Sequence, residues 1–335
     1  MKIKGVTYDT GTPTVDGSVT RPHLTADTVE RELAAIAGEL HCTAVRLTGN
    51  DLDRLRLAAE TAARLGLAVW LSPMLPNADE ATALAAVEAA ARIAGDLHRS
   101  GADVTLVVGC EWSLFLTGLV PGADIGTRLA ALADPMSWAP EFFAAGPPPV
   151  RLNALLSTAV TTARRHFSGP VTYAAGLWED IDWTPFDLVA VDAYRDSGNA
   201  ATLRADLEAL HQHEKPVVAT EFGCATFTGA AEHGGSAWTL VDRADGTRRP
   251  RAGLVRDEEV QALELTSLID LFTAAGLAGA FVFTYVTPAY PASEDPRADL
   301  DTVGYGLVRS WPDGRTTPKA AHTAVARAYA GGGAA

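Results

Sequence analysis

Short apolar segments alternate with amphipathic helical segments along the whole chain. The apolar segments predict eight strands, at Ile3–Asp9, Ala44–Thr48, Ala68–Ser72, Val104–Glu111, Val171–Ala175, Leu188–Tyr194, Val217–Glu221 and Ala280–Tyr285. They are hydrophobic throughout instead of at every second residue, which is typical of parallel strands buried on both faces. The pattern therefore predicts repeated strand–helix units around a parallel sheet.

Helical patterns occupy most of the connections between these strands. They lie at Ala26–Leu40, Asp51–Leu65, Asp79–Ser100, Arg151–Phe167, Asn199–Gln212, Asp257–Ala275 and Pro318–Tyr329. Plausible N-caps stand at the start of the first two helices, in the segments Leu24-Thr25-Ala26-Asp27 and Gly49-Asn50-Asp51. Between the fifth and sixth strands, Trp183–Phe186 leaves room for only a turn.

The connections also indicate whether the sheet is open or closed. An open sheet that binds a dinucleotide carries G-x-G-x-x-G after its first strand, whereas Gly11 stands alone among Thr and Pro. We therefore predict a closed (β/α)8 TIM barrel of the α/β class as one domain over residues 1–330, with a flexible tail at 331–335. The loops after strands four, seven and eight are long and would wall one cleft; they are Trp112–Val150, Phe222–Arg256 and Val286–Thr317.

The composition narrows the class of partner. The chain has 335 residues, of which 47 % are hydrophobic and 20 % charged, and its formal net charge is −14. This acidity argues against binding to nucleic acid or to an anionic membrane, because both need clustered Lys and Arg. We expect a neutral or cationic small molecule as the partner, and the oligomeric state stays open.

The cysteines and the N-terminus bear on the cellular compartment. Cys42, Cys110 and Cys224 form no spaced pair, and an odd count would leave a loose thiol in a secreted protein. The segment Met1–Asp9 has the pattern of a strand and lacks the basic start and apolar run of a signal peptide. We therefore expect a cytoplasmic protein.

Two glutamates end apolar strands of the predicted barrel. Glu111 closes the fourth strand and Glu221 closes the seventh. Because the carboxyl ends of all barrel strands meet at one mouth, both side chains are expected there, partly removed from water. Either glutamate alone could be a structural group neutralised by an arginine or a backbone N–H. The pair at one mouth instead favours acid–base or nucleophilic chemistry.

The segment Thr220-Glu221-Phe222-Gly223, together with Glu111, resembles the large clan of retaining glycoside hydrolases built on (β/α)8 barrels. The resemblance spans nearly the whole chain. It implies that Glu111 is the acid/base and Glu221 the nucleophile. Such enzymes use two carboxyl groups about 5 Å apart, one protonated and one ionised, and form a covalent glycosyl-enzyme.

The resemblance extends to four further positions. Arg46, at the end of strand two, resembles the arginine that keeps the nucleophile ionised, and Tyr194 resembles the strand-six tyrosine that donates to it. Trp112 and Tyr285 could provide the aromatic platforms on which a sugar stacks. The alternatives are a structural ion pair for Arg46 and ordinary packing for the three aromatic residues.

Cys110 departs from the pattern of the clan. Most members have an asparagine before the acid/base, and its amide binds the sugar 2-hydroxyl, whereas a thiol is a weak hydrogen-bonding group. Three alternatives follow: the sugar has an unusual 2-substituent, Asp9 or Asp192 takes over this role, or the substrate is not an ordinary glycoside. Cys110 and Cys224 lie on opposite strands with no histidine at ligand spacing, so we expect no metal and no cofactor.

Three functions are therefore open at the level of sequence. The first is a retaining hydrolase of a small glycoside or oligosaccharide. The second is a lyase, cyclase or isomerase that uses the same carboxyl groups on a non-sugar metabolite. The third is a carbohydrate-binding barrel without activity.

Overall fold

Backbone hydrogen bonds between parallel neighbours close eight strands into a barrel. The computed structural model describes residues 1–14, 18–243 and 246–331. The barrel strands are β1 (Ile3–Asp9), β2 (Ala44–Gly49), β3 (Ala68–Pro73), β4 (Val104–Cys110), β5 (Val171–Gly176), β6 (Val189–Asp192), β7 (Val217–Phe222) and β10 (Gly279–Val282). Their order around the ring follows the chain, and β10 returns beside β1. The predicted (β/α)8 barrel is thus confirmed.

Helices surround the barrel in the predicted alternation. They are α1 (Ala26–Gly38), α2 (Leu52–Arg64), α3 (Glu80–Arg99), α4 (Trp112–Phe115), α5 (Ile125–Ala133), α6 (Pro148–Arg164), α7 (Leu203–Ala209), α8 (Glu258–Ala274) and α9 (Ala320–Gly331). The side chain of Thr25 caps α1 and that of Asp51 caps α2, each by accepting from backbone N–H groups of the first turn. Residues 177–188, between β5 and β6, contain no helix.

Several predicted boundaries were wrong by three or four residues, including the start of α7, which is Leu203 instead of Asn199. Helix α6 begins at Pro148 instead of Arg151, because proline fits the first turn of a helix, where a missing N–H breaks no hydrogen bond. Strand β10 ends at Val282 instead of Tyr285, since the N–H of Thr284 bonds to the carbonyl of Tyr305 in the following loop at 3.3 Å.

The core has two layers that follow from the alternation of side chains along the strands. The inward side chains include Trp70 and Phe281, whose ring centroids are 4.8 Å apart and which fill the barrel. A larger apolar layer lies between the strands and the surrounding helices. Above the inward aromatic pair, the same strand faces carry polar groups, so the packed interior forms the floor of a polar mouth.

Long loops rise from the carboxyl ends of β4, β7 and β10, as predicted. The loop after β7 contains the antiparallel pair β8 (Val241–Asp242) and β9 (Arg249–Pro250), and the loop after β10 contains the pair β11 (Val308–Ser310) and β12 (Thr316–Pro318). Short 3₁₀ turns lie at Pro135–Ser137, Pro140–Ala145, Leu210–His213, Ala230–Glu232, Gly234–Leu240 and Leu300–Val303.

Helix α9 ends the part of the chain that the structure describes. Of the tail predicted at 331–335, residue 331 is the last residue of α9, and 332–335 lie outside the described residues. No helix in the part of the chain that the structure describes is long and apolar enough to cross a bilayer.

A buried ion network joins the loops that follow β7 and β10. Asp301, whose side chain is 1 % exposed, accepts from Arg256 Nη2 at 2.8 Å, and Lys319 Nζ lies 3.0 Å from its Oδ2. Arg256 also donates to Asp299 and Glu258. Lys319 is fully buried at the start of α9, so its charge depends on Asp301 for compensation.

We predict that Asp301→Asn destabilises the protein by about 3–5 kcal/mol, because it leaves Lys319 buried beside a neutral side chain. Urea unfolding monitored by circular dichroism measures the change. The control is Asp295→Asn, which removes an exposed partner of Arg297 and should leave the free energy of unfolding unchanged. Equal stability of the two variants would show that the network does not hold the loops together.

Candidate active site

An irregularity in β7 turns Glu221 into the mouth of the barrel. Val191 pairs with Ala219, but the next residue, Asp192, pairs with Glu221, so one residue of β7 is extra. Such a bulge shifts the alternation of side chains by one position. Phe222 consequently points away from the mouth and packs on Phe272 of α8, with ring centroids 5.0 Å apart.

Two donors hold the carboxylate of Glu221. Arg46 Nη1 lies 2.6 Å from Oε1, and the Tyr194 hydroxyl donates to Oε2 at 2.9 Å. The Arg46 side chain is fully buried and is fixed further by Ser72 Oγ and the Thr220 carbonyl, whereas that of Glu221 is 14 % exposed. Burial opposes the positive charge of Arg46, but the neighbouring carboxylates outweigh it and raise the pKa of Arg46.

Glu111 occupies a strained turn directly after β4. Its φ of 41° and ψ of 51° are left-handed, which is uncommon for a residue with a side chain. Its N–H bonds to the carbonyl of Ala174 at 2.8 Å, and its own carbonyl accepts from Leu114 and Phe115, which starts α4. The chain therefore needs this conformation to leave the strand and begin the helix in one residue.

The surroundings of Glu111 favour its protonated form. Burial raises the pKa of Glu111 well above its usual range, and the negative charges of Asp192, Glu221 and Glu179 raise it further. Within the described residues, no group donates a hydrogen bond to the Glu111 carboxyl. The two strand-end glutamates thus have different surroundings, since a cation and a phenol contact Glu221, whereas the charges that act most strongly on Glu111 are those of other carboxyl groups.

Glu179, which sequence reasoning missed, supports the turn that carries Glu111. Its carboxylate accepts from Ser113 N at 3.0 Å, Gly176 N at 3.0 Å and the Tyr173 hydroxyl at 3.0 Å. The Tyr173 oxygen in turn accepts from Trp112 N at 2.5 Å. Its position in the sequence could have identified it. Glu179 comes three residues after the end of a barrel strand, on the face where barrel chemistry occurs.

Cys110 and Asp192 form a buried pair beside Glu221. Cys110 Sγ lies 3.3 Å from Asp192 Oδ2 and 3.9 Å from Glu221 Oε1. Burial, followed by the charge of Glu221, raises the pKa of Asp192 to about 8, although Arg46 lies 3.8 Å from Oδ1 and acts in the opposite direction. Burial and the two carboxylates raise the pKa of the Cys110 thiol.

The same three residues have the ligand types of a metal site. Among the described residues, one group of at least three possible ligands is found, in which atoms of Cys110, Asp192 and Glu221 lie within 4.8 Å of one another. Arg46 already provides a cation at 2.6 Å from Glu221 and 3.8 Å from Asp192. A metal ion there would have to coexist with a buried guanidinium, which does not fit the donor set. Cys224 belongs to a separate apolar cluster.

Three residues expected to bind substrate have other surroundings. Asp9 accepts from Gly11 N, Thr12 Oγ1 and Thr20 Oγ1, so its carboxylate holds the loop after β1. Trp112 is 5 % exposed and packs behind β4. Tyr285 is also 5 % exposed, and its ring lies 6.4 Å from that of Tyr8 in the layer below the helices. The structure brings together Glu111, Glu221, Arg46, Cys110, Asp192 and Tyr194.

Comparisons with known proteins show the fold. No protein-family model matches the chain, and no curated protein matches it. A GH113 β-1,4-mannanase is similar with a TM-score of 0.64 at 14 % identity over 98 % of this chain and 99 % of that one. A β-glucosidase gives 0.61 at 13 % identity over 99 % of both chains. A calcium-binding mutant of Bacteroides uniformis β-glucuronidase 2 gives 0.60 at 15 % identity over 98 % of this chain and 34 % of that one. The chain has the (β/α)8 fold of these glycosidases.

We predict that the cysteines are unreactive in the folded protein. Cys42, Cys110 and Cys224 are buried free thiols, and burial raises the pKa of each, that of Cys224 to about 12. At pH 8 a disulfide reagent such as DTNB should react with none of them within minutes, and with all three in denaturant. If one thiol of the wild type reacts fast and this reaction is missing in Cys110→Ser, the burial of the Cys110–Asp192 pair is contradicted.

Proposed function

We propose that the chain is a retaining glycoside hydrolase that acts on a small glycoside or oligosaccharide. The observation that carries the proposal is the opposite setting of the two glutamates in one mouth. Glu221 accepts from Arg46 and Tyr194, which stabilise a carboxylate. Glu111 is surrounded by negative charge, which stabilises a carboxylic acid. The barrel fold shared with glycosidases supports it.

The proposed reaction has two steps. In the first, Glu221 attacks the anomeric carbon, the bond from that carbon to the leaving oxygen breaks, and Glu111 gives its proton to that oxygen. In the second, Glu111 takes a proton from water, the water oxygen bonds to the anomeric carbon, and the ester to Glu221 breaks. Two inversions give a sugar with its original configuration.

Arg46 and Tyr194 serve the first of these steps in the proposal. An ionised nucleophile at a partly buried position requires compensation, and the guanidinium and phenol supply it without changing position during the reaction. Cys110 has a thiol where an asparagine would offer an amide to the sugar 2-hydroxyl, and this thiol donates to Asp192. Selectivity at that position would then come from other residues of the mouth.

The second candidate is acid–base chemistry on a non-sugar metabolite. The observation that favours it is Asp192, a buried carboxyl whose pKa of about 8 lies near neutrality, next to Glu221. A lyase or isomerase requires an acid and a base in one mouth and no covalent intermediate. Such an enzyme would not cleave aryl glycosides.

We predict that Glu221→Ala lowers kcat/KM for an aryl glycoside by about 10⁴-fold or more, since it removes the nucleophile. A panel of aryl glycosides of glucose, mannose, galactose and glucuronic acid identifies the sugar. Glu111→Ala should lower kcat/KM by about 10²- to 10⁴-fold. The decrease should be smallest for aryl glycosides of the most acidic phenols, because such a phenolate leaves without being protonated. Glu294→Ala, an exposed glutamate in the loop after β10, is the matched control and should keep full activity.

Azide distinguishes the roles of the two glutamates. With azide, Glu111→Ala should form a glycosyl azide of retained configuration, because azide attacks the intermediate on Glu221. Glu221→Ala should form one of inverted configuration, because azide attacks the substrate itself. The hydrolase proposal fails if the wild type cleaves no sugar of the panel or if both alanine variants remain fully active.

We predict that Glu179→Gln moves the basic limb of the activity profile to lower pH. Glu111 must be protonated to act as the acid, so activity falls as the pH rises through its pKa. The charge of Glu179 raises that pKa, and removing the charge lowers it. The measurement is kcat/KM against pH for the wild type, Glu179→Gln and the control Glu294→Gln. A limb that stays in place would mean that Glu179 has no electrostatic effect on Glu111.

A further inference from the structure

An exposed tryptophan stands at the rim of the barrel. Trp178 lies two residues after the end of β5, and 48 % of its surface is exposed. The neighbouring Leu177 is 38 % exposed, so the two form a small apolar patch at the carboxyl end of the barrel. In the part of the chain that the structure describes, no aromatic ring or guanidinium stacks on Trp178. One face of the indole is therefore free to accept a ligand.

The indole is held in place despite its exposure. Its Nε1 donates to Ser113 Oγ at 3.0 Å, and its ring packs against Gly176. A Cβ atom at Gly176 would lie 2.5 Å from the Trp178 ring, so the glycine is required for this close approach. The backbone N–H groups of Ser113 and Gly176 both donate to Glu179. A ring fixed in this way loses little conformational entropy when it binds a ligand.

Trp178 stands on the side of the mouth that carries Glu111. Ser113, to which it donates, comes two residues after Glu111 in the same turn. Strand β5, on which the indole rests, also accepts the Glu111 N–H through Ala174. Arg46 and Tyr194, in contrast, hold Glu221. In the proposed reaction Glu111 protonates the leaving oxygen, so the group that leaves lies on the side of Trp178.

We propose that Trp178 is the stacking platform for the leaving-group sugar of an oligosaccharide substrate. The proposal rests on the proposed function and adds a binding position to it. The apolar face of a pyranose ring packs well on an indole, and an exposed, fixed indole gives that contact without displacing protein groups. The substrate class that follows is an oligosaccharide of at least two sugar units. The sugar attacked by Glu221 lies on one side of the cleaved bond, and the leaving sugar, stacked on Trp178, lies on the other.

Paired substrates test this proposal. For the sugar that the wild type cleaves in the aryl-glycoside panel, kcat/KM is measured with the disaccharide and with the glycosyl fluoride, for example cellobiose and glucosyl fluoride, or mannobiose and mannosyl fluoride. Trp178→Ala should lower kcat/KM for the disaccharide by about tenfold to hundredfold, mainly through KM. The fluoride has no leaving sugar, so its rate should change less than about threefold.

Two further variants separate stacking from structure. Trp178→Phe keeps an aromatic face and loses the bond to Ser113, so it should retain most of the activity on the disaccharide. The control is Trp311→Ala, because Trp311 is also a partly exposed indole whose Nε1 donates to a threonine, Thr317, at 3.0 Å. It should leave both substrates unaffected, since its ring contacts Arg315 and not the turn that carries Glu111.

The outcomes that overturn the proposal differ from those that overturn the hydrolase function. If the wild type cleaves no glycoside, the hydrolase function fails and the platform fails with it. If the wild type cleaves both substrates and Trp178→Ala loses activity equally on both, or on neither, the platform alone is wrong. Selective loss on the disaccharide, restored in Trp178→Phe, supports a stacking role.

Discussion

The buried guanidinium of Arg46 is the interaction on which the mouth of the barrel depends. A cation inside a barrel is costly unless several partners replace its hydration, and here the inward faces of neighbouring strands provide them. Ser72, the Thr220 carbonyl and Glu221 accept its hydrogen bonds, and Asp192 lies within 4 Å. The packed aromatic floor excludes water from below, so these partners must come from the strands themselves. The polar residues at the strand ends are therefore needed because the apolar residues beneath them keep water away from the guanidinium.

One cation among several carboxyl groups also produces the asymmetry of the site. Arg46 lies 2.6 Å from Glu221, whereas burial and the negative charges of other carboxyl groups raise the pKa of Glu111, so two identical side chains have different surroundings in one mouth. The difference between the two glutamates does not come from residue type. It arises because Arg46 contacts the glutamate at the end of β7 and not the one after β4. The Cys110–Asp192 pair lies beside Glu221 and keeps a further carboxyl buried without a second cation.

The sequence predicted the barrel well because its signal is local, and it predicted the site only in part. Apolar runs and caps decide strands and helices, and Glu111 and Glu221 stand at strand ends that hydropathy alone identifies. The irregular pairing of β4 with β5 after Val107 is not visible in the sequence. It turns Cys110 inward, and Trp112 packs behind the strand, where a Cβ at Gly109 would lie 2.1 Å from its indole nitrogen. Glu179 and Trp178 were missed because Ser113, which contacts both of them, belongs to the segment after β4 and is distant in sequence.

The left-handed turn at Glu111 has a consequence for how such a barrel changes over evolutionary time. Glycine or asparagine would fit this backbone better, and either would also remove a carboxyl group from a partly buried setting with negative charges around it. Thermodynamic preference and chemistry therefore oppose each other at this position. In the proposed reaction Glu111 is kept for its proton, so a lineage released from selection for that reaction could replace Glu111 and gain stability while the barrel stays intact.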